Sequence, residues 1–257
     1  MSEALFAEWI KLRTLASTGS LVVGTVALTV AAAAGIDAAT HVSASGGGQD
    51  PTKLSLTGIA IGQTLVAVLA VLAICDEYAT GMIRVSLTAI PSRLTLLTAK
   101  AANLAVLAVF TGLLAVAGCL IAGRLMLPGD GLDPAHGYAL LSLNHPATLR
   151  AAVGSVIYLV LIGLMSLGIA AAVRDTAASI GVVLGLLYVL PILAQVLSDP
   201  WRRYVQQIAP MTAGLAIQAT INLRSLPIAP WAGLAVLAAW TTAALLLGAA
   251  GLRLRDA

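Results

Sequence analysis

Residues 101–123, AANLAVLAVFTGLLAVAGCLIAG, contain no charged side chain and are almost entirely apolar or small. A helix needs roughly 17–25 predominantly apolar residues to cross the hydrocarbon core of a bilayer. In lipid the backbone must satisfy its own hydrogen bonds, which an α-helix does within one segment. This stretch is therefore long enough to span a membrane as a single helix.

Similar runs lie on both sides of it, at about 20–36, 56–75, 151–173, 177–198 and 231–252, and none has a charged residue in its interior. Over the 257 residues, 60% are hydrophobic and only 10% are charged. Soluble domains average roughly 45–50% apolar and about 25% charged residues. The sequence predicts an all-α integral membrane protein with six transmembrane helices in one domain, 1–257.

The distribution of basic residues predicts the orientation. With six spans, both termini and the connections 76–100 and 174–176 lie on one side, where basic residues are denser than on the other side. Since basic loops favour the cytoplasm, we expect cytoplasmic termini. The net charge of +3 is scattered over the ends of apolar runs rather than gathered on one face, so nucleic-acid binding is not expected.

Two further segments have patterns of their own. Residues 1–19 place Leu5, Phe6 and Trp9 on one helical face, which predicts an amphipathic helix at the cytoplasmic interface, the alternative being a solvated tail. The connection 199–230 begins with headgroup-anchoring residue types and continues with an apolar stretch too short to span. It predicts two short re-entrant outer helices before span six, with a plain surface loop as the alternative.

The most distinctive segment is 75–100, CDEYATGMIRVSLTAIPSRLTLLTAK. Steps of about 100° along 77–90 bring the polar residues onto one narrow stripe, with apolar flanks on both sides. The stripe consists of Glu77, Thr80, Gly81, Arg84 and Thr88. Pro91 ends this helix, and Ser92 then caps a second helix that leads through Lys100 into span three. The pattern predicts a short helix under the bundle with one mixed edge for a partner.

Residue types with catalytic or metal chemistry are sparse. Cys75 and Cys119 have neither metal nor redox spacing, and we expect them to be small apolar fillers. His41, His136 and His145 fall in the predicted outer loops without a metal-binding pattern. The sequence therefore predicts no catalytic residue and no metal site.

Segment 75–100 resembles a known family. A cytoplasmic EYxxG after the second span, a leucine, Pro-Ser-Arg and a lysine before the third span look like the permease subunit of ABC-2 type exporters. The matching residues are Glu77, Tyr78, Gly81, Leu87, Pro91, Ser92, Arg93 and Lys100. The N-terminal EWIKLRT, residues 8–14, is similar to the opening of actinobacterial members, which implies a bacterial cell membrane.

The resemblance implies that 77–90 is a coupling helix that docks on an ATPase. The docking residues would be Glu77, Tyr78, Gly81, Met82, Arg84, Val85 and Thr88, with Glu77 and Arg84 making polar contacts and Met82 and Val85 packing. Pro91, Arg93 and Lys100 would shape the segment. Arg174 and Asp175, between spans four and five, would form a second contact, or simply a positive-inside turn.

The same resemblance implies the partners. The chain has no phosphate loop, so two copies of a separate cytoplasmic ABC ATP-binding subunit would bind ATP and Mg²⁺, and this chain would be neither an enzyme nor a cofactor binder. A second permease copy, identical or similar, would complete the route through the membrane lipids. The cargo would be hydrophobic or amphipathic (a drug, antibiotic, peptide or lipid) and would move outward.

Some residues inside the spans invite a functional interpretation but leave alternatives open. Gln63 and Asn103 are candidate polar groups of the pathway, or ordinary interhelical hydrogen-bonding residues. Small residues that permit close helix contact lie in span four, at Gly154, Ser155, Gly163 and Gly168, and in span five, at Gly181 and Gly185. They fit a dimer interface and a single bundle equally.

Two other classes of protein compete with the exporter. An ion-coupled secondary transporter usually carries an ionisable residue inside the membrane, and the predicted spans contain none. A membrane scaffold that transports nothing would need no ATPase partner. Co-purification with an ATP-binding subunit separates these classes.

Overall fold

The apolar runs form long α-helices in the computed structural model of the chain, which describes residues 16–39, 49–79, 93–127 and 141–254. Within these ranges six helical segments are long and apolar enough to cross a membrane. The helices are α1 (Ala16–Ala39), α2 (Pro51–Ser55), α3 (Ile59–Ala79), α4 (Arg93–Met126), α5 (Pro146–Val173), α6 (Thr176–Leu184), α7 (Leu190–Val196), α8 (Trp201–Ile208), α9 (Pro210–Leu215) and α10 (Pro230–Leu254). The chain thus has the architecture of a multi-pass membrane protein, with α6 and α7 forming one span.

Two predicted elements fall on residues outside the described ranges. The interfacial helix of 1–19 lies there except for its last four residues, which begin α1. The coupling helix of 77–90 lies there beyond Ala79, where α3 ends. Both stay predictions.

The α5–α6 connection is a two-residue reversal. Arg174 ends α5 in the left-handed region, with φ of 66°, and its backbone N–H donates to the carbonyl of Ala170. Asp175 then caps α6, its carboxylate accepting from the backbone N–H of Ala178 at 2.7 Å. A non-glycine residue in this region costs local free energy, so the contacts of the Arg174 side chain have to hold it there.

The fifth span contains a π-helical turn. Residues Gly185–Val189 join α6 to α7 with the wider turn, and Pro191 follows in the first turn of α7. The hydroxyl of Tyr188, inside this turn, lies 2.6 Å from both the carbonyl oxygen of Ala60 and the hydroxyl of Thr64 on α3. A π turn accommodates one extra residue in a helix and often accompanies a functional position.

Helices α3 and α5 form the centre of the bundle. In their most apolar windows 61% of the residues are buried inside the chain, against 17% for α1 and 22% for the α6–α7 span. The fully buried Tyr158, Ile162 and Met165 of α5 belong to the core. The outer spans therefore leave most of their apolar surface to lipid or to another protein.

Close helix crossings depend on glycine. A Cβ atom on Gly168 of α5 would lie 2.5 Å from the backbone carbonyl carbon of Ala244 on α10, and a Cβ on Gly248 would lie 2.7 Å from the carbonyl oxygen of Gly168. Each distance is shorter than real Cβ contacts. The two backbones thus touch directly, the arrangement that small residues permit between helices in a membrane.

The predicted small-residue positions separate into two groups. Gly154 and Gly163 of α5 pack against Ile217 and Val66 of this chain, and Ser155 is buried. Gly181 and Gly185 of the fifth span have no atom within 4 Å of an added Cβ. The glycines of α5 therefore serve the single bundle, whereas those of the fifth span lie on an open surface.

Two helices extend beyond the predicted spans and take in charged residues. α1 continues to Ala39 and includes Asp37, whose side chain is fully buried. α4 begins at Arg93, directly after the predicted cap Ser92, and continues through Lys100, which is only 5% exposed, into the third span as predicted. The predicted spans themselves contain no charged residue, but the helices continue past them to Asp37 and Lys100.

Two short helices precede the sixth span, as the sequence predicted for this connection. α8 is exposed along most of its length, whereas α9 packs on α10, where a Cβ on Gly233 would lie 1.9 Å from the carbonyl oxygen of Ala213. Short 3-10 turns at Ala216–Gln218 and Leu223–Ser225 follow. Part of this connection is thus built into the bundle.

Candidate functional site

Polar side chains gather at the two ends of the bundle. One end carries the α5–α6 turn, the end of α3 and the end of α10, and is called the Arg174 end. The other carries α2, the start of α5 and the residues after α9, and is called the Asp50 end. Both are built from residues of several spans, so each can connect movements of different helices.

Most of the predicted docking residues lie outside the described part of the chain. This holds for Gly81, Met82, Arg84, Val85, Thr88 and Pro91. Glu77 is placed in α3 and Arg93 in α4, but their side chains are not described. Among these residues the described structure therefore positions only Tyr78, Lys100, Arg174 and Asp175 with their side chains.

Tyr78 and Arg174, predicted to belong to two separate contacts, lie together. The guanidinium carbon of Arg174 is 5.4 Å from the centre of the Tyr78 ring, within cation–π range. A guanidinium nitrogen of Arg174 also donates to the carbonyl oxygen of Gly251 on α10 at 2.7 Å. Arg174 thus joins the end of α3 to the end of α10 across the α5–α6 turn.

Asp175 and Lys100 differ in how accessible their charged groups are to a partner protein. Asp175 is exposed, although one carboxylate oxygen caps α6. Lys100 is buried, and its ammonium donates to the carbonyl oxygen of Ala73 at 3.2 Å. Lys100 therefore ties α4 to α3, while Asp175 remains accessible for the predicted second contact.

Cys75 contributes to the same end of the bundle. Its sulfur lies 3.9 Å from the hydroxyl oxygen of Ser179 on α6. Cys119, on α4, is likewise a free and buried thiol. Both cysteines pack as the small fillers that the sequence predicted.

Gln63 lies inside the chain rather than on an open surface. Its side chain is fully buried, its amide nitrogen donates to the carbonyl of Ala60 at 3.0 Å, and its amide oxygen accepts from the hydroxyl of Tyr158. Asn103 is also buried, at 7% exposure. Their role in a transport route stays a prediction; in this bundle Gln63 joins α3 to α5.

The Asp50 end is held by one carboxylate. Asp50 accepts from the backbone N–H and the hydroxyl of Thr220, at 2.5 and 2.6 Å, and from the backbone N–H of Ile221 at 3.2 Å. It also caps α2 by accepting from the N–H of Lys53. These four residues, the Asp50 cluster, fix the segment after α9 against the start of the second span.

Two more side chains hold the same segment. Arg150 on α5 donates to the carbonyl of Ala219 at 2.5 Å. The amide of Gln218 reaches the carbonyl of Leu56 and the hydroxyl of Ser155, both at 3.3 Å. The segment after α9 therefore contacts the second and fourth spans through charged and polar groups.

No protein-family model and no curated protein matches this chain.

Metal chemistry finds no support in the described ranges. No group of three or more His, Cys, Asp or Glu side chains there could hold a metal ion. His145, which precedes α5, is exposed, and His41 and His136 lie outside the described residues.

The sequence analysis did not single out Asp50, which lies in the loop between the first two predicted spans. The local signal was present, since Asp-Pro-Thr places an N-cap residue before a proline at the first helical position. No local signal pairs Asp50 with Thr220, which lies 170 positions further along the chain.

We expect Asp50→Ala to loosen the segment after α9. Hydrogen bonds to a charged group contribute about 1.5–3 kcal/mol, and the loss of an N-cap costs about 1 kcal/mol. The free energy of unfolding should therefore fall by about 2–3 kcal/mol. Hydrogen exchange of the amides of Thr220 and Ile221 should accelerate. As a control, Asp199→Ala removes an exposed carboxylate paired with Arg202 and should leave the exchange rates of both amides unchanged. Unchanged exchange rates in Asp50→Ala would contradict the role given to Asp50.

Proposed function

We propose that this chain is the membrane-spanning permease subunit of an ATP-driven exporter of the ABC-2 type. The observation that supports this most is the contact of Tyr78 with Arg174 and, through Arg174, with Gly251. Tyr78 belongs to the segment that resembles the family's coupling helix. A force applied to that segment would reach α3, the α5–α6 turn and α10 together.

In this proposal two cytoplasmic ATP-binding subunits bind and hydrolyse ATP with Mg²⁺, and the helix at 77–90 docks in a groove of one of them. Glu77 and Arg84 make the polar contacts, and Met82 and Val85 pack. Asp175, exposed at the neighbouring turn, adds a second contact. The Arg174 end then faces the cytoplasm of a bacterial cell, with both termini on that side.

Transport follows as a rigid-body change. Closure of the ATPases tilts the spans of two permease copies, identical or similar, between inward and outward openings. The cargo is hydrophobic or amphipathic, because the described spans offer mostly apolar surface. Movement of the outer end requires the segment held by the Asp50 cluster to follow the second span, since the carboxylate joins them.

Co-purification tests the proposal directly. The tagged full-length chain is extracted from its native membrane in a mild detergent, and the proteins retained with it are identified by mass spectrometry. We expect an ATP-binding subunit in near-stoichiometric amount, with ATPase activity that depends on this chain. Recovery of the chain without any such subunit, from membranes that contain its candidates, would overturn the proposal.

A secondary transporter is the second candidate, and one observation favours it. Asp37 is an ionisable residue, fully buried in the last turn of the first span helix, and ion-coupled carriers depend on buried ionisable groups in their spans. Export that collapses with the proton gradient while ATP stays high would favour this class. Export that stops on ATP depletion while the gradient is held would favour the ATP-driven permease.

A further inference from the structure

A cavity of about 430 Å³ opens at the Asp50 end, between α4 and the residues that lead into α5. Its lining is amphipathic. The apolar part includes Leu120, Ile121 and Leu143, and the polar part includes Arg124, Ser142 and Asn144. The cavity, called the Arg124 pocket, thus presents a charge and hydrogen-bonding groups beside an apolar surface.

Arg124 supplies the charge of this pocket. It is exposed, and in the part of the chain that the structure describes no hydrogen bond or ion pair involves it. Among the residues that the structure describes, no acidic one lines the cavity. The guanidinium therefore favours an anion in the pocket.

The position of Arg124 determines how deep in the membrane an anion in this pocket would lie. Arg124 lies in the last turn of α4, which ends at Met126, and the apolar run of the third span lies directly before it. Arginine at the end of a transmembrane helix extends its guanidinium toward the lipid headgroups while its stem stays in apolar surroundings. An anion bound here lies at headgroup level, with Leu120 and Ile121 one turn deeper.

We propose that the Arg124 pocket binds an anionic phospholipid of the surrounding membrane. The guanidinium of Arg124 pairs with the phosphate, Ser142 and Asn144 offer hydrogen bonds to the headgroup, and the first part of one acyl chain lies against Leu120, Ile121 and Leu143. An arginine at headgroup depth beside apolar side chains supplies the charge for the phosphate and the apolar surface for the acyl chain. The volume is within the range of specific small-molecule sites, roughly 300–1,000 Å³.

A second cavity provides an internal comparison. It also measures about 430 Å³ and lies between α5, the fifth span and α10, and the described residues that line it include no charged one. The indole N–H of Trp240, a polar group of that lining, already donates to the carbonyl of Ile208 at 2.8 Å. That cavity can accept an acyl chain of any lipid, so selection by headgroup depends on the Arg124 pocket.

The test compares lipids on the purified full-length chain. After delipidation in mild detergent, the protein is titrated with phosphatidylglycerol or phosphatidylcholine, and bound lipid is measured by native mass spectrometry. We expect phosphatidylglycerol to be preferred. Arg124→Gln should weaken its binding roughly fivefold, the factor that corresponds to about 1 kcal/mol for one basic residue near an anionic surface.

Matched variants separate the pocket from general charge and from folding. Arg224→Gln removes an exposed arginine of the 3-10 turn Leu223–Ser225 at the same end, outside the pocket, and should leave the preference unchanged. Arg124→Lys keeps the charge and should retain most of the binding. Ala117→Trp fills the cavity from α4 while keeping Arg124, and should weaken binding of phosphatidylglycerol as Arg124→Gln does.

Three outcomes would overturn the proposal. Equal retention of the two lipids would show that no anionic headgroup is selected. Equal loss in Arg124→Gln and Arg224→Gln would show a diffuse charge effect. Displacement of phosphatidylglycerol by glycerol phosphate, which has no acyl chain, at matched concentration would show a site for a soluble phosphate. None of these results depends on an ATPase partner.

Discussion

Gly168→Ala should destabilise the bundle, whereas Gly181→Ala should leave it unchanged or stabilise it. The added Cβ at Gly168 would lie 2.5 Å from the backbone of Ala244, so α5 and α10 would have to separate. Overpacking of this kind costs about 1–3 kcal/mol, and occasionally more where backbone atoms are met. At Gly181 the same Cβ meets nothing within 4 Å, and alanine favours the helix by about 1 kcal/mol over glycine.

The pair is a matched test, because both variants add one methyl group to a glycine in a transmembrane helix. Thermal unfolding in detergent, followed by loss of the monodisperse peak in size-exclusion chromatography, should show opposite or clearly unequal shifts. With the larger leucine side chain the difference should be greater: Gly168→Leu should abolish folded protein, whereas Gly181→Leu should not. Equal shifts in the two variants would mean that α5 and α10 do not cross at Gly168.

Arg84→Glu should abolish association with the ATP-binding subunit while membrane insertion stays normal. In the proposed function Arg84 lies on the polar stripe that contacts the ATPase, and removal of one member of a buried interfacial charge pair costs about 2–5 kcal/mol. Reversal of the charge adds repulsion, so we expect at least about a 100-fold loss of affinity. Pull-down of the ATPase with the tagged permease, quantified against the unaltered chain, measures it.

Arg203→Glu is the control for this experiment, since it reverses an exposed arginine at the Asp50 end, opposite the proposed docking surface. It should bind the ATPase as the unaltered chain does. Normal binding and transport in Arg84→Glu would remove the coupling role of 77–90. Loss of binding in both variants would point to misfolding instead.

The transmembrane helices were predictable because their signal is composition over length. The predicted spans lie within α1, α3, α4, α5 and α10 almost completely, and the connection after the fifth span forms two short helices as expected. The helix that starts after Ser92 and continues through Lys100 was also predicted, whereas the end of α1 was predicted less well, because Asp37 looked like its boundary. Lys100 stays helical and buried since its ammonium finds the carbonyl of Ala73, a partner no local pattern reveals.

The sequence predicted individual residues of the candidate site but not the contacts between residues that are far apart in the chain. The resemblance singled out Tyr78 and Arg174 separately, but nothing in the sequence indicated that the two side chains meet, because they are 96 positions apart and the contact depends on how α3 and α5 pack. The pairs of Asp50 with Thr220 and of Tyr158 with Gln63 were missed for the same reason. The coupling helix itself lies outside the described residues and stays a prediction.

The π turn at Gly185–Val189 has a consequence for the side chains on either side of it. One extra residue in a helical turn rotates everything beyond it by about 100° relative to an uninterrupted α-helix. The two halves of the fifth span are therefore out of phase: a single helical wheel drawn from Thr176 to Val196 assigns the second half to the wrong face. The open surface at Gly181 and Gly185 therefore does not continue along the same side of the span beyond Tyr188. A straight neighbouring helix could pack against it on only one half of the span.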